Sequence, residues 1–212
     1  MAKKRSIVYV DGYNFYYGMV KSHPDAKWLD FQRYFELVRP DDDIQQIFYF
    51  TAIAPEKQAA RRQAVYFRAL DSLEKVSLQV GRHKRKRVTC RVRDCTYTGS
   101  RRFSVQEEKE TDVAIGVQIV ADAYEHRAER FVIVSGDSDL LPAIRLIRDR
   151  FPEIEIIVYI PAEPNTPRSY ANEMRNASHK HSTMPAEPLR RAQFPEVIQT
   201  SDGIVERPAS WV

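Results

Sequence analysis

No stretch of this 212-residue chain approaches the roughly 20 consecutive apolar residues that a bilayer-crossing helix needs, so a membrane partner is not expected. The basic start, M-A-K-K-R-S, is followed by only four apolar residues before Asp11, too few for the apolar region of a secretory signal. Two cysteines, Cys90 and Cys95, cannot build a disulfide framework and suit a reducing compartment. The expectation is therefore a soluble, cytoplasmic protein. No histidine or lysine stands where a general base would be obvious, and the motifs richest in acid contain no Lys or Arg positioned to neutralise them. What the chain does have is 43% hydrophobic residues, enough to bury the core of one full domain.

The organising stretch is F-V-I-V-S-G-D-S-D at 131–139, where four apolar residues run directly into a small turn and two carboxylates. Such a run reads as a buried strand that delivers Asp137 and Asp139 to the end of a sheet. Pro142 fits only a first helical turn, so a helix should begin near Ser138 or Asp139. On residue preference alone either aspartate could simply cap that helix. The same strand-then-acid pattern occurs at 6–11, S-I-V-Y-V-D, with Asn14 three residues later in the following turn. Further strands are expected at 44–53, 76–80 and 154–160. Helices are expected at 30–38, with Phe31, Tyr34, Phe35 and Val38 on one face, at 55–73, and at 107–124. For the last of these, Val113, Val117, Val120 and Tyr124 are predicted to form the buried face and the acids to fill the first turns, where the helix dipole favours them. Asp41, Asp42 and Asp43 read as a solvated loop. Alternating strands and helices predict a three-layer α/β fold with a mostly parallel sheet.

Between Arg82 and Arg102 the composition changes. Nine basic residues (Arg82, Lys84, Arg85, Lys86, Arg87, Arg91, Arg93, Arg101 and Arg102) face one acid, Asp94, an excess larger than the +4 charge of the whole chain. Alternation with Val88, Cys90 and Val92 predicts a basic hairpin insertion over 82–105. A basic ribbon with interleaved aromatics suits a polyphosphate partner, because each neutralised phosphate releases counterion. With His83, the two cysteines offer three of the four ligands that a closed structural zinc site needs, so structural Zn2+ is not expected. Beyond the domain, residues 1–160, lies an extension at 161–212 broken by prolines. It is expected to pack on the domain or on a second subunit, which leaves a homodimer open.

With strand order 3-2-1-4-5, the strands ending in Asp11 and Asp137 become neighbours at the reversal point, where such sheets bind ligands. Adjacent strands lie about 4.8 Å apart, so Asp11, Asp137, Asp139 and, at a helix entry, Asp112 can converge. A cluster of unneutralised acids calls for a cation, and oxygen-only ligands point to Mg2+ or Mn2+.

I-V-Y-V-D-G-Y-N-F, K-E-T-D-V-A-I-G and V-I-V-S-G-D-S-D-L resemble, in order, the motifs of the NYN domain family, the PIN-like metal-dependent ribonucleases, and especially their LabA-like bacterial branch. The likeness covers about residues 6–160. It implies a PIN-like sandwich and an endoribonuclease acting on RNA. It also implies that Asp11, Asp112, Asp137 and Asp139 form the catalytic metal set, with Asn14 and Ser135 as supporting contacts. Some similar proteins act as non-catalytic RNA-binding or regulatory modules, which is the alternative expectation. A sugar-nucleotide transferase, suggested by D-S-D as a D-x-D metal signature, has no nucleotide pocket legible in the sequence. A phosphotransfer receiver needs a Lys where Pro161-Ala162 follows the last strand.

Overall fold

In the computed structural model, which describes residues 2–162, 166 and 171–211, the first apolar run forms β1 (Lys4–Asp11), the centre of a seven-stranded sheet. Its neighbours are β2 (Asp42–Ala52) on one side and β5 (Arg130–Val134) on the other. Outside β2 come β3 (Val76–Thr89) and β4 (Arg102–Lys109); outside β5 come β6 (Glu155–Ile160) and β7 (Lys180–Thr183). All pairings are parallel except that of β3 with β4. The five strands predicted from the sequence therefore stand in the predicted order, with β4 and β7 added at the edges.

The period of two along each strand divides the core. Val8 and Val10 face one layer with α2 (Phe31–Val38) and α3 (Lys57–Asp71), while Ile7 and Tyr9 face the other with α4 (Thr111–Tyr124) and α5 (Leu141–Arg150). The result is a helix–sheet–helix sandwich. Asp30 and Glu56 accept backbone N–H groups at the starts of α2 and α3, which fixes where those helices begin. Four-residue α1 (Gly12–Phe15) follows β1, and short α6 (Asn172–Ala177) and α7 (Glu187–Arg191) lie in the proline-rich C-terminal part. The sequence between the prolines also allows a short helix near 168–175, of which residues 168–170 fall outside the described residues. Asp202-Gly203 turns β8 (Val197–Thr200) into β9 (Gly203–Glu206), with Gly203 at φ +110°, a conformation that disfavours a side chain. Met184, Leu189, Phe194 and Val205 of this C-terminal part join the same apolar layer as Val8 and Val10.

Three expectations need correction. Residues 107–109 are strand, not helix: Glu107 and Glu108 lie in β4, and Glu110, at φ +80°, makes the corner from which α4 starts at Thr111. The buried face of α4 is Ile115, Ile119, Asp122 and Ala123, whereas Val113, Val117 and Tyr124 are more than 60% exposed. The helix is apolar on both faces, and the buried one carries an acid: Asp122 is buried because it accepts Tyr9 Oη at 2.8 Å, Gln118 Nε2 at 2.9 Å and Arg127 Nη1 at 2.7 Å. Asp42 is not solvated but buried, bound by Arg39 and by Arg130.

Arg130 also pairs with Glu155 at 2.7 Å, and Lys4 and Lys180 reach the same carboxylate, so the edge of the sheet where β1 and β5 begin is densely neutralised. Burial alone would raise the Glu155 carboxyl; hydrogen bonds from Lys180, Arg130 and Lys4 overcome it and hold it at about 2. A depressed carboxyl stabilises the fold above the ordinary carboxylate range and loses that contribution as pH falls towards about 2. Urea unfolding should therefore show stability falling between about pH 4.5 and 2, and Glu155→Gln should flatten that part of the curve. An unchanged slope in the variant would contradict the assignment.

Candidate metal centre and basic ribbon

Asp11 ends β1 with only 2% of its surface exposed, a costly place for a carboxylate. Hydrogen bonds offset that cost. Its Oδ1 accepts the backbone N–H of Tyr13 at 3.1 Å and of Asn14 at 3.0 Å; its Oδ2 accepts Asn14 Nδ2 at 2.7 Å and Ser135 Oγ at 2.8 Å. The carboxylate thus caps α1 and ties the end of β1 to the end of β5. Asn14 continues the tie, its Oδ1 accepting the Gly136 N–H at 3.1 Å, and Ser135 Oγ accepts the Asp137 N–H at 3.0 Å. Gly12 is required by close packing: a Cβ there would stand 2.6 Å from the Phe50 carbonyl oxygen on β2.

The turn after β5 holds the next two acids. Asp137 Oδ1 accepts the Asp139 N–H at 2.9 Å, so the capping role falls to Asp137, while Asp139 is exposed. Asp112 approaches from the first turn of α4. One carboxylate oxygen from each of Asp112, Asp137 and Asp139 can be chosen so that all three lie within 4.8 Å of one another. Asp11 is not part of that group; its oxygens are engaged by the four hydrogen bonds.

Burial, reinforced by the charges of Asp11, Asp137, Glu108 and Asp139, pushes the Asp112 carboxyl up to about 6. Burial also raises Asp11, against the hydrogen bonds that stabilise its charged form. Among the described residues, none of Asp11, Asp112, Asp137 and Asp139 forms an ion pair with a Lys or Arg. Three hard oxygen donors in an unneutralised field fit a hard divalent cation such as Mg2+ or Mn2+.

Glu108 is a site residue that the sequence reading missed. It stands on β4 opposite His83, accepts Thr111 Oγ1 at 2.5 Å at the base of α4, and contributes to the field on both Asp11 and Asp112. Placing 107–110 in a helix hid it; the alternation of β4 was the available signal.

The basic ribbon rises from the same edge of the sheet, because β3 runs past its last pairing with β2 at Gly81 and continues as a hairpin with β4. Among the described residues, the cations of the ribbon meet acids only along its paired strands. Arg82 pairs with Glu110, Lys86 with Glu107, and Arg101 donates to the Cys95 carbonyl. Among the described residues, Lys84, Arg85, Arg87, Arg91, Arg93 and Arg102 enter no ion pair, and Tyr97 and Phe103 are exposed beside them. Cys90 and Cys95 are free thiols.

Beside the carboxylates opens a cleft of about 470 Å³, walled by Tyr13, Tyr16, Tyr17, Tyr49, Tyr66 and Trp211. The cleft adjoins the carboxylates through Gly12 and Tyr13, which follow Asp11 and of which Tyr13 donates its N–H to it, and through Glu108, whose charge acts on Asp112.

A mostly parallel three-layer sheet with acids gathered at the carboxyl ends of its central strands defines a PIN-like sandwich. The family model of the NYN domain matches residues 5–184, and the chain belongs to the NYN domain family. It is 27% identical, over an alignment of 240 residues covering 98% of this chain and 75% of the relative, to the 6-hydroxy-3-succinoylpyridine 3-monooxygenase HspA of Pseudomonas putida (strain S16). A crystal structure of VPA0982, a protein of unknown function from Vibrio parahaemolyticus, shares the fold, with a TM-score of 0.52 and 16% identity over 87% of this chain and 94% of that one. Among the described residues no helix is long and apolar enough to cross a membrane.

The raised Asp112 pKa has a measurable consequence in metal-free protein. A carboxyl whose folded pKa exceeds its unfolded one destabilises the fold as pH rises from about 4 through about 6. In EDTA, Asp112→Asn should remove that loss and melt at a higher temperature than the parent at pH 7.5. A variant that melts lower at that pH would contradict the like-charge account.

Proposed function

We propose that the chain is a Mg2+- or Mn2+-dependent endoribonuclease. The observation that carries this reading is the convergence of Asp112, Asp137 and Asp139 at the foot of a basic ribbon, in a family that is generally nuclease-like. These three carboxylates would hold the cation, and Asp11 strengthens the negative field while fixing where the Asp137 turn sits. Bound there, Mg2+ or Mn2+ would supply Lewis acidity towards water and a phosphoryl oxygen. Ser135 and Asn14 hold the Asp11 carboxylate still. The ribbon cations bind the flanking phosphates and keep the polyanion beside acids that would otherwise repel it.

Cleavage of a single-stranded RNA in Mn2+ should fall by at least about 100-fold in Asp137→Asn, by analogy with the loss of one charge-stabilising group. RNA affinity should stay equal or rise, because a negative charge has been removed. Cleavage that persists in EDTA and in the variant would sink the metal mechanism, whereas binding without turnover in the parent would favour a regulatory RNA-binding module. Replacing Arg85, Arg87, Arg91 and Arg93 with Gln should reduce the slope of log affinity against log salt by about 3 to 4, if each meets one phosphate. An unchanged slope would remove the ribbon from the RNA path.

The aromatic cleft favours a second reading. The Pseudomonas relative carries the name of an oxygenase acting on a substituted pyridine. On this reading the chain acts on a small aromatic acid. Consumption of such a compound with no RNA cleavage in any metal would select it.

A further inference from the structure

The cleft has features that the acidic cluster does not explain. Its floor is anchored: Tyr66 is buried with its hydroxyl donating to the Leu29 carbonyl at 2.7 Å, and Trp211 packs edge-on against that ring at 5.8 Å. Its rim is open. Tyr13, Tyr16 and Tyr17 are each about half exposed, with the Tyr13 and Tyr17 rings 4.6 Å apart. Exposed aromatics gathered around a cavity are costly to solvate and offer flat faces on which a planar ring can stack. The volume of about 470 Å³ falls within the range of about 300–1,000 Å³ usual for small-ligand pockets.

Charge narrows the ligand further. Lys27 and Arg62 also line the cleft, each half-buried, and neither makes a salt bridge or a side-chain hydrogen bond among the described residues. Glu56, at the start of the same helix as Arg62, feels the field of that guanidinium but does not pair with it. Two half-buried cations without ion partners, set among aromatic walls, suit a planar ring that carries an anionic group.

We infer that this cleft binds one nucleotide of the RNA, its base stacked on the Tyr13 and Tyr17 side and its phosphate met by Arg62 and Lys27. The assignment deepens the ribonuclease reading, since Gly12, Tyr13 and Glu108 join the cleft to the carboxylates and place the bound nucleotide next to the bond to be cut. An unpaired base is required, because a base stacked within a duplex cannot enter a walled cleft.

Binding can be read without cleavage. In EDTA, adenosine 5′-monophosphate, uridine 5′-monophosphate and ribose 5-phosphate would be titrated into the full chain while the Trp211 indole N–H is followed by NMR. Both mononucleotides should shift that resonance, and ribose 5-phosphate should bind at least about tenfold more weakly for want of a stacking ring. Tyr13→Ala and Arg62→Ala, both at solvent-accessible positions, should each weaken mononucleotide binding about five- to tenfold. Asp137→Asn should retain it, so loss of cleavage and loss of this subsite are separable. Equal binding of ribose 5-phosphate, indifference to both cleft variants, or binding of a pyridine carboxylate with none of either nucleotide would overturn the assignment.

Discussion

Everything at the candidate centre depends on one buried carboxylate. Asp11 sits at the carboxyl end of the central strand, where water cannot stabilise its charge, and four hydrogen bonds do so instead. Those same bonds start α1, lock Asn14 and reach across to Ser135, which in turn holds the backbone of Asp137. The position of the acidic turn is therefore set by the sheet and not by the turn alone. A carboxylate turn held this way would not have to be ordered on binding a cation, and that is the value of preorganisation.

The two ends of the sheet treat charge in opposite ways. Where β1 and β5 begin, Asp42 and Glu155 are matched by Arg39, Arg130, Lys4 and Lys180. Where they end, burial and the charges of neighbouring acids raise the proton affinity of Asp11 and Asp112, and a concentration of basic residues is displaced onto the ribbon. A chain able to neutralise buried acids at one edge leaves them bare at the other. Stability alone does not account for that asymmetry, because unpaired like charges cost free energy. On the proposed reading a bound cation would, and the ribbon would then supply the attraction that an acidic crevice cannot offer a polyanion.

Much of this was legible in the chain. Short apolar runs ending in acid marked the central strands, and the order 3-2-1-4-5, which the sequence supports only as a premise, is the one those five strands adopt. The first errors came where one residue type had two uses. Asp122 disguised the buried face of α4 because an acid in the core is rare, and it is there only because Tyr9, Gln118 and Arg127 satisfy it. Glu107 and Glu108 looked like the first turn of a helix, since acids favour that position, but the left-handed corner at Glu110 puts them in a strand. The separation of Asp11 from the other three acids could not be read either, because it depends on hydrogen bonds contributed from residue 135. Least legible was the cleft. Tyr13, Tyr49, Tyr66, His83 and Trp211 come from five separate stretches, and no local pattern announces that they meet.

The central claim is that Asp112, Asp137 and Asp139 form a divalent-cation site organised by Asp11. The most direct measurement is a crystal structure of the protein soaked in Mn2+, read by anomalous scattering. The account predicts one or more peaks among those three carboxylates, with Asp11 still accepting from Ser135 and Asn14. No peak there at saturating Mn2+, or carboxylates that have turned away to pair with ribbon cations, would contradict it.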